Sequence, residues 1–212
     1  MDLSVLLDPA RIKCQCDIQS RKRALQTLAE LLGAALRKTE ETAAVDRVEM
    51  NGCAEPAAKT GSASGERRAA RGFIGDRLHG RRASRRSDKQ KESERDENRN
   101  ELSDMDILDA LITRERLGST GLGHGVALPH SRVANLDSPI AAMITLNEGV
   151  DFEAADDQVV DLILALLVPE DCNDEHLKIL AALAQRFNDG DLRKTLRRCE
   201  SGDELFAALT RL

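Results

Sequence analysis

Residues 121–133, GLGHGVALPHSRV, put three glycines ahead of a short apolar stretch that stops at Pro129, and His130 follows directly. Imidazole changes charge near neutral pH, and one of its ring nitrogens is a nucleophile when a partner bond occupies the other. A surface turn would be served as well by Asn or Asp, so a titratable ring at this point suggests chemistry. His176 falls in the first turn of a helix expected from about Asn173, where unpaired backbone N–H groups attract anions. Arg114 ends another helix just before the glycine-rich loop. A phosphoryl group on His130 needs cationic or N–H donors around it, and Arg114, His176 and nearby amides are of that type.

Other readings use the same residues. Gly121-x-Gly123-x-Gly125 could be taken for a dinucleotide fingerprint, but that pattern opens a helix, and here an apolar strand and Pro129 follow. His124, His130, His176 and Cys172 could bind zinc, although they lack local ligand spacing. The structural alternative is a hydrogen-bonded His130, with Arg114 serving only the helix dipole. His79, the fourth histidine, lies in a low-complexity segment.

Three stretches of chain must position these groups. Ile12–Ile18 alternates apolar and polar, as a half-buried strand does. Ser20 is a candidate N-cap for a helix whose stripe is Ala24, Leu25, Leu28, Leu31, Leu32 and Leu36. On the strand, Cys14 and Cys16 are expected to point to one face as small fillers. From Ser103, with Asp106 three residues on, a helix presents Ile107, Leu108, Leu111 and Ile112. Residues 139–147 and 159–168 are strand-length apolar runs, and the second, apolar on both faces, is expected to be central. The helix after Pro169 is expected to bury Leu177, Leu180, Ala181, Ala184 and Phe187, and two short helices close the chain around 190–199 and 202–211. The expected fold class is α/β, strands and helices layered in one domain formed by residues 1–36 and 102–212.

Residues 37–101 differ in kind. They carry 16 basic against 13 acidic side chains, and residues 67–91 alone carry ten against two. With few apolar residues to offset ordering entropy, the segment is read as a disordered, basic insertion. It is either a tolerated loop or an arm for an acidic partner or nucleic acid; the lack of interleaved aromatics argues against single-strand stacking. The whole chain of 212 residues has net charge −6, no Trp or Tyr, and five cysteines at irregular spacing. Nucleic acid is not indicated by that charge. No run of about 18 apolar residues offers a membrane span. The start, MDLSVLLDPARIK, lacks the pattern of a signal peptide, so a cytoplasmic location is expected.

The stretch RERLGSTGLGHGVALPHSR (114–132) closely resembles the enzyme IIA domain of the fructose–mannitol type in the bacterial phosphoenolpyruvate-dependent phosphotransferase system; with no membrane or IIB-like portion in the sequence, the chain looks most like the nitrogen-regulatory branch. The likeness runs on through LLDPARIKC, SRKRALQTLAELL, LDSPIAAMITLNEGVDFEAADDQVVDLILALLVPED and DEHLKILAALA. The resemblance implies a mixed sheet flanked by helices. It also implies a regulatory phosphocarrier, of phosphotransferase type, whose His130 takes a phosphoryl group on Nε2 from an HPr-like carrier. Arg114 and His176 would assist, with no cofactor or metal. Sensor kinases or potassium transporters are the regulatory targets that the resemblance suggests. The chain departs from the family pattern at Ser131, often glycine, at His124, often asparagine, and in the long insertion. The competing reading is a binding module with an inactive histidine that uses the basic insertion to contact nucleic acid or an acidic protein.

Overall fold

Strand β6 (Val160–Pro169) organises the fold, because both of its faces are apolar. Leu162, Leu164, Leu166 and Val168 enter one hydrophobic layer, and Ile163, Ala165 and Leu167 enter the other. A strand buried on both faces must be central, flanked by helices on each side. In a computed structural model the described residues are 3–50, 102–171 and 174–211.

The sheet contains β1 (Ile12–Cys16), β2 (Gly121–Gly123), β3 (Val126–Ala127), β4 (His130–Val133), β5 (Ile140–Val150) and β6. Its order is β1-β5-β6-β3-β2, with β4 also paired to β6. β5 runs antiparallel to β6, β1 parallel to β5, β3 and β4 parallel to β6, and β2 antiparallel to β3. The sheet is mixed, with β6 central, as the sequence led us to expect.

Helices α1 (Arg21–Met50) and α2 (Asp104–Arg116) lie on one face, where Leu25, Leu28, Leu32, Ile107 and Leu111 are packed with Ile144, Phe152 and Ile163. Helices α3 (Asp174–Phe187), α4 (Gly190–Arg198) and α5 (Gly202–Thr210) cover the other through Ile179, Leu183, Phe187, Leu196, Leu205 and Leu209. The capping box at the start of α2 is complete. Ser103 Oγ accepts from the Asp106 amide, and Asp106 Oδ2 accepts from the Ser103 amide.

Two local expectations are corrected. Cys14 and Cys16 do not share a face: Cys14 packs with the α3–α5 layer and Cys16 with the α1–α2 layer. The reason is a bulge between Lys13 and Cys16, where Gln15 takes φ +52° and its N–H donates to Thr145 Oγ1 at 2.8 Å. One irregular residue reverses the two-residue alternation. On α3 the buried residues are His176, Ile179, Leu183 and Phe187; of the expected face Phe187 is buried and Leu180 packs on the core, while Leu177 is 62% exposed.

By contact, the chain divides into a unit of Met1–Glu40 with Glu101–Leu212 and a second of Glu41–Asn100. Helix α1 runs to Met50, past the boundary expected at Leu36; residues 37–50 contain neither Gly nor Pro to stop it. The disorder expected for the insertion lies, over residues 51–101, outside the described residues.

Candidate functional site

Strands β3 and β4 form one line broken in the middle. Val126 and Ala127 pair with Leu162 and Ile163, and His130–Val133 pair with Leu166–Pro169. Leu128 and Pro129 interrupt it, since Pro129 has no N–H to donate. The Pro129 carbonyl still accepts from the Leu166 amide at 2.9 Å, which keeps the second half in register. His130 therefore opens a new strand beside β6; the sequence had placed it just beyond a strand end.

Both ring nitrogens of His130 are engaged, and the partners define the tautomer. Nδ1 lies 2.9 Å from the Leu128 carbonyl oxygen, which can only accept, so the ring proton is on Nδ1. Nε2 accepts from Arg114 Nε at 3.1 Å, and so carries a lone pair. Arg114 Nη1 also donates to the Gly118 carbonyl at 3.0 Å, where α2 ends. His176 approaches from α3, its ring centroid 5.4 Å from that of His130 at an interplanar angle of 54°. Although His176 is buried, neither of its ring nitrogens has a hydrogen-bond partner among the described residues. Such an orphan needs an explanation, because native interiors rarely leave polar atoms unpaired.

These groups line an open cleft of about 620 Å³. Asp109, Thr113 and Arg114 come from α2 and Leu117 from its C-cap, His130, Ser131 and Arg132 from β4, and His176 from α3. Leu117, 82% exposed, and Ala110 give the lining an apolar component. Burial lowers the His130 pKa below the usual histidine value; the Leu128 carbonyl opposes this and the Arg114 charge adds to it. His176 is lowered too, first by burial, then by His130, Arg132 and Arg114. Two neutral imidazoles facing a guanidinium give one nucleophilic nitrogen with cationic and N–H donors beside it.

The three residues singled out from sequence, Arg114, His130 and His176, come together. His124 does not join them. It is exposed at φ +58° in a separate cleft, with its N–H on Asp156 Oδ2 at 2.7 Å and its carbonyl accepting from Arg197. The next residue, Gly125, sits at φ +77°, where a Cβ would meet the Arg197 guanidinium at 2.5 Å. Among the described residues no group of three or more His, Cys, Asp or Glu is placed to hold a metal, and Cys172 lies outside them.

Sequence reasoning missed Glu115, buried at the end of α2, where it accepts from the Thr120 amide at 3.3 Å and from Thr120 Oγ1 at 2.5 Å. A signal was present: residues 107, 111 and 115 recur every four positions and continue the buried stripe.

A sequence model of the family described as "Phosphoenolpyruvate-dependent sugar phosphotransferase system, EIIA 2" matches residues 93–211. The chain is 42% identical over 109 residues to a nitrogen regulatory protein of Pseudomonas aeruginosa, covering 50% of this chain and 71% of that one. It is 37% identical over 105 residues to the nitrogen regulatory protein of Escherichia coli K12, covering 49% and 64%. The fold resembles the crystal structure of nitrogen regulatory protein IIA-Ntr from Neisseria meningitidis, with a TM-score of 0.65, 27% identity, and coverage of 98% of this chain and 99% of that one. The crystal structure of IIA mannitol from Escherichia coli shares the fold at a TM-score of 0.54 and 17% identity, covering 96% and 98%. No described helix is long and apolar enough to cross a membrane.

Proposed function

We propose, since the chain belongs to the EIIA 2 family of the phosphoenolpyruvate-dependent sugar phosphotransferase system, that it takes a phosphoryl group on Nε2 of His130 from an HPr-like phosphocarrier. Its phosphorylation state then regulates nitrogen- or potassium-related partners. The observation that carries this reading is the pair of bonds on His130, with Nδ1–H on the Leu128 carbonyl and the Nε2 lone pair turned toward Arg114.

In the proposed step the Nε2 lone pair forms a new N–P bond while the bond from phosphorus to the donor's imidazole breaks, and that electron pair returns to the donor ring. The His130 ring gains positive charge, which its Nδ1–H shares with the Leu128 carbonyl in a bond that strengthens with charge. For Nε2 to attack, the Arg114 guanidinium must leave it. The same group then faces the phosphoryl oxygens, where a planar, permanently charged fork suits three equatorial oxygens. His176, with no ring partner among the described residues, supplies a second N–H donor. Its buried, unpaired nitrogens fit a site that is completed only by an anion.

The test is intact-mass analysis after incubation with phosphoenolpyruvate, enzyme I and an HPr-like carrier. One acid-labile phosphate on the wild type, absent from His130→Ala, is expected. An unmodified wild type alongside a phosphorylated carrier would sink the reading.

A further inference from the structure

Among the described residues Glu115 is the only buried carboxylate, and it makes no contact with the cleft. We infer that Glu115 is a positioning residue that sets the orientation and ring tautomer of His130 through Thr120 and Leu128. As far as it concerns transfer rate, this inference rests on His130 being the phosphoacceptor.

The connection can be followed bond by bond. Both carboxylate oxygens of Glu115 hold Thr120, one through its amide and one through its hydroxyl. The carbonyl of Thr120 accepts from the Leu128 amide at 3.0 Å. The carbonyl of Leu128 accepts Nδ1–H of His130 at 2.9 Å. Within Leu128 the link between amide and carbonyl is stiff, because the following Pro129 confines its ψ to the extended range. Fixing the Leu128 amide therefore fixes where its carbonyl points.

Glu115 also neighbours Arg114 on the last turn of α2, and its carbonyl accepts from the Gly118 amide at 3.2 Å. One side chain thus ties the helix that presents Arg114 to Nε2 to the strand that presents a carbonyl to Nδ1. Arg21, 3.6 Å from Glu115 and 3.0 Å from Glu153, balances the buried charge. A carboxylate buried only for stability would need a cation or a few donors. Spending both oxygens on the residue that holds the tautomer-defining strand is the arrangement a positioning role requires.

The experiment compares wild type with Glu115→Ala, Glu115→Gln and Thr120→Val. Ring-nitrogen NMR at about pH 8, where a histidine is neutral, reads the His130 tautomer without any phosphate donor. The wild type is expected to show a single tautomer with the proton on Nδ1. Glu115→Ala and Thr120→Val should show a mixture of tautomers. Glu115→Gln, which keeps one acceptor and gains a donor for the Thr120 hydroxyl, should return toward wild type. The transfer rate should fall about tenfold or more in Glu115→Ala, the scale known for removing the outer hydrogen-bond partner of a metal-bound histidine.

A cooperatively melting Glu115→Ala protein with the wild-type tautomer overturns the inference. If that variant does not fold, Thr120→Val decides by the same readout. A tautomer shift in a protein whose wild type takes no phosphate upholds the positioning role and removes the phosphoacceptor reading instead.

Discussion

At the scale of single residues, the cleft concentrates groups that are poor stabilisers. Without a partner among the described residues, the buried ring of His176 costs about 1–3 kcal/mol. His176→Leu is therefore expected to melt no lower than wild type, and up to a few degrees higher, while its phosphorylation slows at least about tenfold. Calorimetry beside a timed mass assay checks both halves, and a loss of stability with an unchanged rate would mark His176 as purely structural. Arg114→Lys keeps the charge but loses the planar fork and should slow transfer by roughly 10²-fold in the same assay. Both imidazoles are held below the usual histidine value. The folded protein then binds fewer protons than the unfolded chain just below about pH 6.5. Their contribution to stability is whole above that pH and is lost as pH falls toward the lowered values. Melting temperature followed from pH 8 to 5 should show this decline, and a double variant lacking both rings should show a shallower one.

At the scale of elements, the accuracy of sequence reading depended on whether period and cap agreed. Helix α2 had both a capping box and an apolar stripe, and it was placed to within a residue. Removing the cap with Ser103→Ala should cost about 1 kcal/mol, or roughly 2–4 °C in melting temperature, as read by circular dichroism. Strand β6 was legible because a run apolar on both faces has no other stable place in a sheet. Misreadings occurred where one residue breaks a repeat. The positive φ of Gln15 sends Cys14 and Cys16 to opposite layers, and nothing in IKCQC announces it. On α3, Leu177 stands beside a polar-looking His176, and hydropathy alone chose the leucine as buried; packing chose the histidine. Among the site residues, His130 and Arg114 stood out by type and spacing, whereas Glu115 was marked only by its place on the 107–111–115 stripe. A carboxylate between two arginines looks solvated until the turn it supports is seen.

At the scale of the molecule, residues 41–100 form a unit separate from the one that contains the cleft. Replacing them by a short Gly/Ser linker is expected to leave the phosphorylation rate within about twofold of the full chain, measured by timed intact-mass analysis. A large loss would mean that the insertion takes part in docking. The position of His130 has a further consequence. Its strand is laddered to β6, the most buried element of the sheet, and both hydrophobic layers press on that strand. Close-packed interiors resist deformation, so among the described residues the strand that carries Nε2 offers no hinge to turn. Whatever reads the proposed modified state must sense roughly two added negative charges at one spot. At physiological salt that field fades within about 8 Å. Only a partner whose own surface sits directly over the cleft can tell the two states apart, so the protein would signal by contact and not by a change of shape.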